Sequence, residues 1–245
     1  MKIKLLLILI VFFTVTVKSQ MIKEGKIIYK KEFTERTFVK NKSNDPNFEH
    51  FKEIEDASLA ALKNINFELK FNNNESSFAF IPSLEIEENK YAELALGPEG
   101  STFYYNTSVS SLSKINIFGE DFLVTDKPLT WQLKNETKKI GDYLCYKAIA
   151  IEKKMYRGKM KEYPVMAWYC PEISSSFGPI GVAGLPGLIL EVNKGNIKYR
   201  ATKINLNPKK NIKITKLTKG KKITRKKLGE MISEAMGNFK KNKGY

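Results

Sequence analysis

The stretch from Tyr143 to Cys170 constrains the fold of this chain more than any other. Two runs rich in aromatic and β-branched residues, Tyr143–Met155 and Lys159–Cys170, flank Arg157-Gly158, a candidate two-residue hairpin turn. Pairing Tyr156 with Lys159 fixes every partner along the hairpin. Paired numbers sum to 315, which sets Cys145 opposite Cys170. Counting outward from the hydrogen-bonded pair at the turn, odd positions of the first strand fall in non-hydrogen-bonded pairs. Their Cα atoms approach to about 4.5 Å, within reach of a disulfide. Pro164 opposes Ile151 at another such position, so its missing N–H costs this ladder nothing. Cys145 and Cys170 are the only cysteines, and an oxidising compartment would join them. A bridge closing these 26 residues would contribute about 3 kcal/mol. The rival reading is a reactive thiol at Cys170.

The rest of the chain reads as further short strands around two helices. Gly25–Phe33, Phe67–Phe71, Ser76–Ile81, Ser101–Asn106, Phe122–Val124, Trp131–Leu133, Leu188–Asn193 and Tyr199–Lys203 carry strand-forming runs separated by turn residues. Asp45-Pro46 suits a helix start, and Phe48, Phe51, Ile54, Ala57, Ala61, Leu62 and Ile65 follow at helical spacing. A second amphipathic helix carries Leu228, Met231, Ile232, Ala235 and Phe239, with Thr224 as its N-cap. Arg225, Lys226 and Lys227 in its first turn oppose the helix dipole, so packing or a partner must help hold it. Many strands and two helices predict a mainly β (α+β) fold, a curled antiparallel sheet or half-barrel. Residues 20–205 form the β-rich domain and 206–245 a lysine-rich segment with a helix. Glu85, Glu87 and Glu88 read as a solvated strand edge and turn.

Met1–Ser19 has the layout of a secretory signal peptide. Lys2 and Lys4 precede the apolar run Leu5–Val17, and Val17 and Ser19 suit cleavage before Gln20. The expected address is the periplasm, the outer-membrane surface or the medium. The net charge of +16 is concentrated at one end: Lys194 to Tyr245 holds fifteen Lys and two Arg against Glu230 and Glu234. Such a segment is drawn to anionic membrane surfaces or acidic partners. Nucleic acid is excluded as a partner by export, and only four Arg occur in the chain.

Little material for catalysis or metal binding is present. One histidine and two cysteines fall short of a structural zinc set, and EF-hand spacing is absent. His50 lies in the first predicted helix and no GxSxG elbow accompanies it. No catalytic residue, metal site or cofactor is expected.

The stretch FGPIGVAGLPGLILEV, Phe177 to Val192, is Gly- and Pro-rich yet almost devoid of polar side chains. Leu185-Pro186-Gly187-Leu188 has the chemistry of a type II turn. With Gly184-Leu185-Pro186-Gly187-Leu188-Ile189 in full, an early GKIIY strand, Trp131, ETKKIGDYLCYKA (Glu136 to Ala148), AWYCPEI (Ala167 to Ile173) and Gly178-Pro179, the sequence resembles the GLPGLI family. These are exported proteins of Bacteroidetes-group bacteria, and the resemblance implies an envelope protein of no established activity. Ser174-Ser175 stands where that family would have a proline-containing turn. The motif is open to two readings: a packed turn launching a strand, or a contact loop presenting Leu185, Pro186, Gly187 and Leu188. Trp168 and Tyr169 are likewise candidates for ligand stacking or for core. The expected function is non-catalytic binding of an apolar ligand, lipid or peptide, or of an envelope protein. A cysteine- or carboxylate-dependent hydrolase and a structural adaptor of an outer-membrane transport complex are the alternatives.

Overall fold

Buried and half-buried residues alternate along Glu24–Phe33, the pattern of a strand with one face in a core. The same alternation organises most of this computed structural model, which describes residues 24–36, 45–117, 119–156 and 159–242. The signal-peptide residues and the Arg157-Gly158 turn lie outside the described residues.

The strands are β1 (Glu24–Phe33), β2 (Phe67–Asn72), β3 (Glu75–Phe80), β4 (Phe103–Thr107), β5 (Ser111–Ile117) and β6 (Glu120–Asp126) in the first half. The second half adds β7 (Gln132–Ile140), β8 (Tyr143–Tyr156), β9 (Lys159–Cys170), β10 (Leu188–Lys194), β11 (Ile197–Leu206) and β12 (Lys221–Thr224). They make one 12-stranded sheet in the order β12-β6-β5-β4-β3-β2-β1-β11-β10-β9-β8-β7, open at β12 and β7. Every pairing is antiparallel except β12 with β6, so the sheet is mixed rather than wholly antiparallel.

Among the described residues four α-helices accompany the sheet where sequence periodicity predicts two: α1 (Phe48–Asn64), α2 (Leu84–Glu87), α3 (Ala92–Gly100) and α4 (Arg225–Asn242). The first helix starts at Phe48 rather than Pro46, because Asp45 Oδ1 accepts the Asn47 N–H at 2.8 Å and holds the entry as a turn. Thr224 caps α4 as expected, accepting the Lys227 N–H at 3.2 Å. Glu85 and Glu87 are helical and Glu88 is the C-cap, not the strand edge and turn expected there. Ser83 caps a short helix there, and Glu85 and Glu87 stand exposed in its first turn, where the helix dipole favours acids. Strands β5 and β12 escape sequence reading, since Lys221–Thr224 is short, lysine-rich and extended only by pairing with β6.

An aromatic cluster fills the sheet's centre. Phe67 stacks on Phe78 at 5.8 Å, and Tyr199 meets both rings edge-on at 5.0 and 5.7 Å. A smaller cluster joins Phe122 and Val124 of β6 to Leu228 of α4. Part of the lysine-rich segment is thus built onto the same sheet.

The hairpin register is the one read from the sequence: Tyr146 pairs with Tyr169 and Tyr156 with Lys159, with Pro164 opposite Ile151. Pro164 also escapes the other ladder, as β10 ends with Lys194 opposite Val165.

The Gly-Pro loop is packed down. Leu185, Gly187 and Leu188 are buried, and Pro186 alone of the four is exposed. The expected type II turn is not formed. The Gly187 N–H donates to the Leu185 carbonyl at 2.9 Å, and the Leu188 N–H donates instead to the Ile173 carbonyl at 3.1 Å. A Cβ on Gly187 would overlap the Cys170 carbonyl, and one on Gly178 would meet Ile189 Cβ at 2.6 Å. These glycines are present because two backbones touch there. Gly187→Ala is expected to cost at least about 2 kcal/mol. Leu185→Ser should cost about 3 kcal/mol by placing a hydroxyl in the core. Urea unfolding followed by tryptophan fluorescence checks both.

Candidate functional site

β7 begins at Gln132, opposite Ile149 of β8, so the outer part of β8 has a strand neighbour only on the β9 side. On the far side of that gap lie β4, β5 and β6, and α4 bridges it, touching both β6 and β8. A cavity of about 620 Å3 occupies this seam, walled by both arms, by residues 127–130 and by residues 176–184. Its volume is in the range of ligand pockets.

Its walls mix apolar and charged groups. Ile115, Leu129, Ile151, Met160, Ile180 and Val182 supply the apolar surface. The charged part centres on four side chains. Lys194 Nζ lies 3.4 Å from Glu99 Oε1 and 3.0 Å from Glu152 Oε2. Lys154 Nζ lies 3.3 and 3.2 Å from the same two oxygens. Alternation along β8 explains part of this assembly: Glu152 and Lys154 follow Ala148 and Ala150 on one face. Glu99 arrives from α3, beyond the kink where Gly97 takes φ 59°.

Burial acts against each of these charges. Desolvation would raise Glu99, but Lys194 and Lys154 hold its carboxyl below the ordinary value of 4.5. Desolvation would lower Lys194, yet Glu99 and Glu152 hold it above its ordinary value. Lys154 is lowered, first by burial and then by repulsion from Lys194. At the other wall, Arg225 of α4 holds Asp126 through both carboxylate oxygens at 2.9 and 2.6 Å and donates to Ser113 Oγ at 3.0 Å. This fork ties the helix's basic first turn to the sheet, the support its unfavourable dipole requires.

The cavity roof carries strain. Ile180, buried and β-branched, adopts φ 49°, and Gly181 follows at φ 75°. A side chain at Gly181 would strike Ser111 Oγ and Tyr104, so this turn is wedged against β4 and β5. The Trp131 indole N–H donates to the Ala183 carbonyl at 2.9 Å and fixes the roof's other end.

The residues singled out from sequence lie elsewhere. Trp168 is buried, with Lys138 Nζ 4.4 Å above its ring and Glu191 Oε1 2.7 Å from that ammonium. Tyr169 is buried and faces Tyr146 at 6.1 Å between ring centres. Cys145 and Cys170 are fully buried free thiols one step beyond the Tyr146–Tyr169 pair. Burial first, then the neighbouring Cys170, pushes the Cys145 thiol up to about 12, and burial raises Cys170 too. His50 is exposed on α1. Among the described residues no group of three or more His, Cys, Asp or Glu is placed to hold a metal, and no helix is long and apolar enough to cross a membrane.

Residues 151–191, from the free part of β8 through the Gly-Pro loop to Glu191, match a family described as a protein of unknown function (Porph_ging). No curated protein matches the chain. Among solved structures, two crystal forms of PNGF-II are similar over 86% of this chain at 15% and 16% identity, with TM-scores of 0.47 and 0.46. The chain spans about a third of PNGF-II, 32% and 33% in the two forms. An uncharacterized conserved protein from Thermus thermophilus is similar over 85% of this chain and 93% of its own, at 6% identity and a TM-score of 0.34.

Removing one cation from the buried quartet leaves two carboxylates for one ammonium. Lys194→Met should therefore destabilise the protein by about 3 kcal/mol in urea unfolding. Acid titration gives a second readout. Because the folded pKa of Glu99 is depressed, its contribution is complete above the unfolded value of about 4.5 and is lost as pH falls below it. The Lys194→Met variant should lose less stability than the parent over that acid window.

Proposed function

We propose that this chain is an exported, non-catalytic binding protein that takes its ligand in the seam of the open sheet, which acts as a half-barrel. The observation that carries the reading is the seam cavity, about 620 Å3 with apolar and charged walls, roofed by the turn that precedes the GLPGLI hexamer. A buried isoleucine at positive φ in that roof fits the reading, since such strain is retained where the surroundings enforce a particular surface. The hexamer Gly184–Ile189, on which the resemblance to the GLPGLI family rests, falls wholly within the matched residues 151–191. In this reading the motif is the rigid base of the site: Leu185 and Leu188 anchor it in the core, and the wall is built from what it positions.

Two further features belong to the proposal. The position of Cys145 and Cys170, each one residue beyond the Tyr146–Tyr169 pair that ends the ladder, supports a disulfide formed after export, bracing the same hairpin. The raised thiol pKa values weigh against a cysteine nucleophile. Exposed lysines at 209, 210, 213, 219 and 222 supply a surface suited to anionic membranes.

Intact and native mass spectra of the protein recovered from an exporting host test this. The expected result is an N-terminus at Gln20, a mass two hydrogens below the dithiol form, and a non-covalent companion released on activation. A companion retained by a variant with the seam filled by Val182→Trp would overturn the seam as the site. Two alkylatable thiols after denaturation without reductant would overturn the disulfide.

A further inference from the structure

We propose that the seam takes an extended acidic peptide segment, which pairs as an added strand with the free edge of β8 at Ile151 and Lys153. The inference rests on the reading of the seam as a binding site and names what fills it.

The two hairpins that share β8 fix the direction of its backbone groups independently. Ile140 and Tyr143 close the β7–β8 hairpin across two residues, and Tyr156 and Lys159 close the β8–β9 hairpin across two more. A pair closing so short a turn is a hydrogen-bonded one. The first hairpin therefore turns the N–H and C=O of odd β8 residues toward β7, and the second turns those of even residues toward β9. Both counts agree. Beyond Ile149 no β7 residue is paired, so the polar backbone groups of Ile151 and Lys153 point past the end of β7. Their side chains lie on the face opposite Glu152 and Lys154, yet all four residues wall the cavity. A strand edge that opens into the cavity produces that combination.

An unpaired edge inside a cavity calls for a ligand with its own backbone N–H and C=O groups, which an alkyl chain lacks. Charge selects its side chains. The wall carries six basic residues against three acidic ones. Lys154 and Lys194 match Glu99 and Glu152, and Arg225 holds Asp126, so the buried charges are internally satisfied. The surplus is Lys127 and Lys226, exposed at the rim with Lys153, whose ammonium pairs with Glu162 at 2.9 Å; carboxylates of a bound segment would meet the two surplus lysines there. Ile115, Leu129 and Ile180 leave apolar surface for residues of alternate parity.

The test uses the full mature protein and an end-blocked hexapeptide of alternating glutamate and valine, with binding read by calorimetry. Amide exchange by NMR should show new protection at Ile151 and Lys153. N-methylation of alternate peptide nitrogens should weaken binding at least tenfold in one of the two registers. A lysine-valine hexapeptide should bind at least tenfold more weakly than the parent. Ile151→Pro removes an edge N–H without removing a β8–β9 ladder bond, and should likewise reduce affinity at least tenfold. Binding of both N-methylated forms at full strength would overturn the edge pairing while leaving the seam as a site. Binding of dodecanoate in the seam, with no peptide binding, would assign the site to an amphiphile instead. Failure of peptide and dodecanoate alike, together with a companion-free native spectrum, would overturn the seam reading itself.

Discussion

The contact between Gly187 and the carbonyl of Cys170 is the constraint on which the architecture turns. Two stretches of backbone, 17 residues apart in sequence, meet with no room for a methyl group. That approach brings the chain back onto β9 just where β9 ends and starts β10 in register, with Leu188 opposite Cys170. The residues between must then fold as a compact excursion. Ile173 and Phe177 lend carbonyls to the N–H groups of Leu188 and Ile189, and Gly178 lies flat on Ile189. The excursion's far end, Pro179–Gly181, is thereby pushed across the sheet onto β4 and β5. A two-backbone contact at the end of β9 thus sets the roof of the cavity.

Electrostatics complete what packing begins. The sheet stays open, and two charge-assisted assemblies span the region where a barrel would have closed. Lys154 and Lys194 from the β8 side meet Glu99 from α3, while Arg225 joins α4 to Asp126 of β6. Groups that are desolvated but mutually compensated contribute little net stability and much positional definition. They hold the two arms at a distance without sealing them.

The β8–β9 hairpin was legible because its register follows from arithmetic on one turn, and the burial of Leu185 and Leu188 agrees with the turn's apolar composition. The strands of the aromatic core announced themselves by alternation. What stayed hidden depends on partners remote in sequence. Lys221–Thr224 has no strand-forming pattern of its own and is extended because β6 offers an edge. The turn at Leu185–Leu188 departs from type II because Ile173, outside the motif, takes the Leu188 N–H. The cavity residues Glu99, Glu152, Lys154 and Lys194 look like ordinary surface charges in one dimension. Glu152 and Lys154 follow two inward-facing alanines, and that parity is the one signal that pointed to them.

The single parallel pairing has a consequence for how the chain is made. β6 finds β12 only after about a hundred further residues have emerged, with Ile223 settling beside Val124. Until then the β6 edge, with Phe122 and Val124 behind it, stands open while the rest of the sheet is complete. Non-local pairings of this kind form late and leave an edge competent for the wrong neighbour in the interval. Once the final segment emerges, the mutual repulsion of its lysines disfavours pairing with the same segment of a second copy and leaves the β6 edge of its own sheet as the partner.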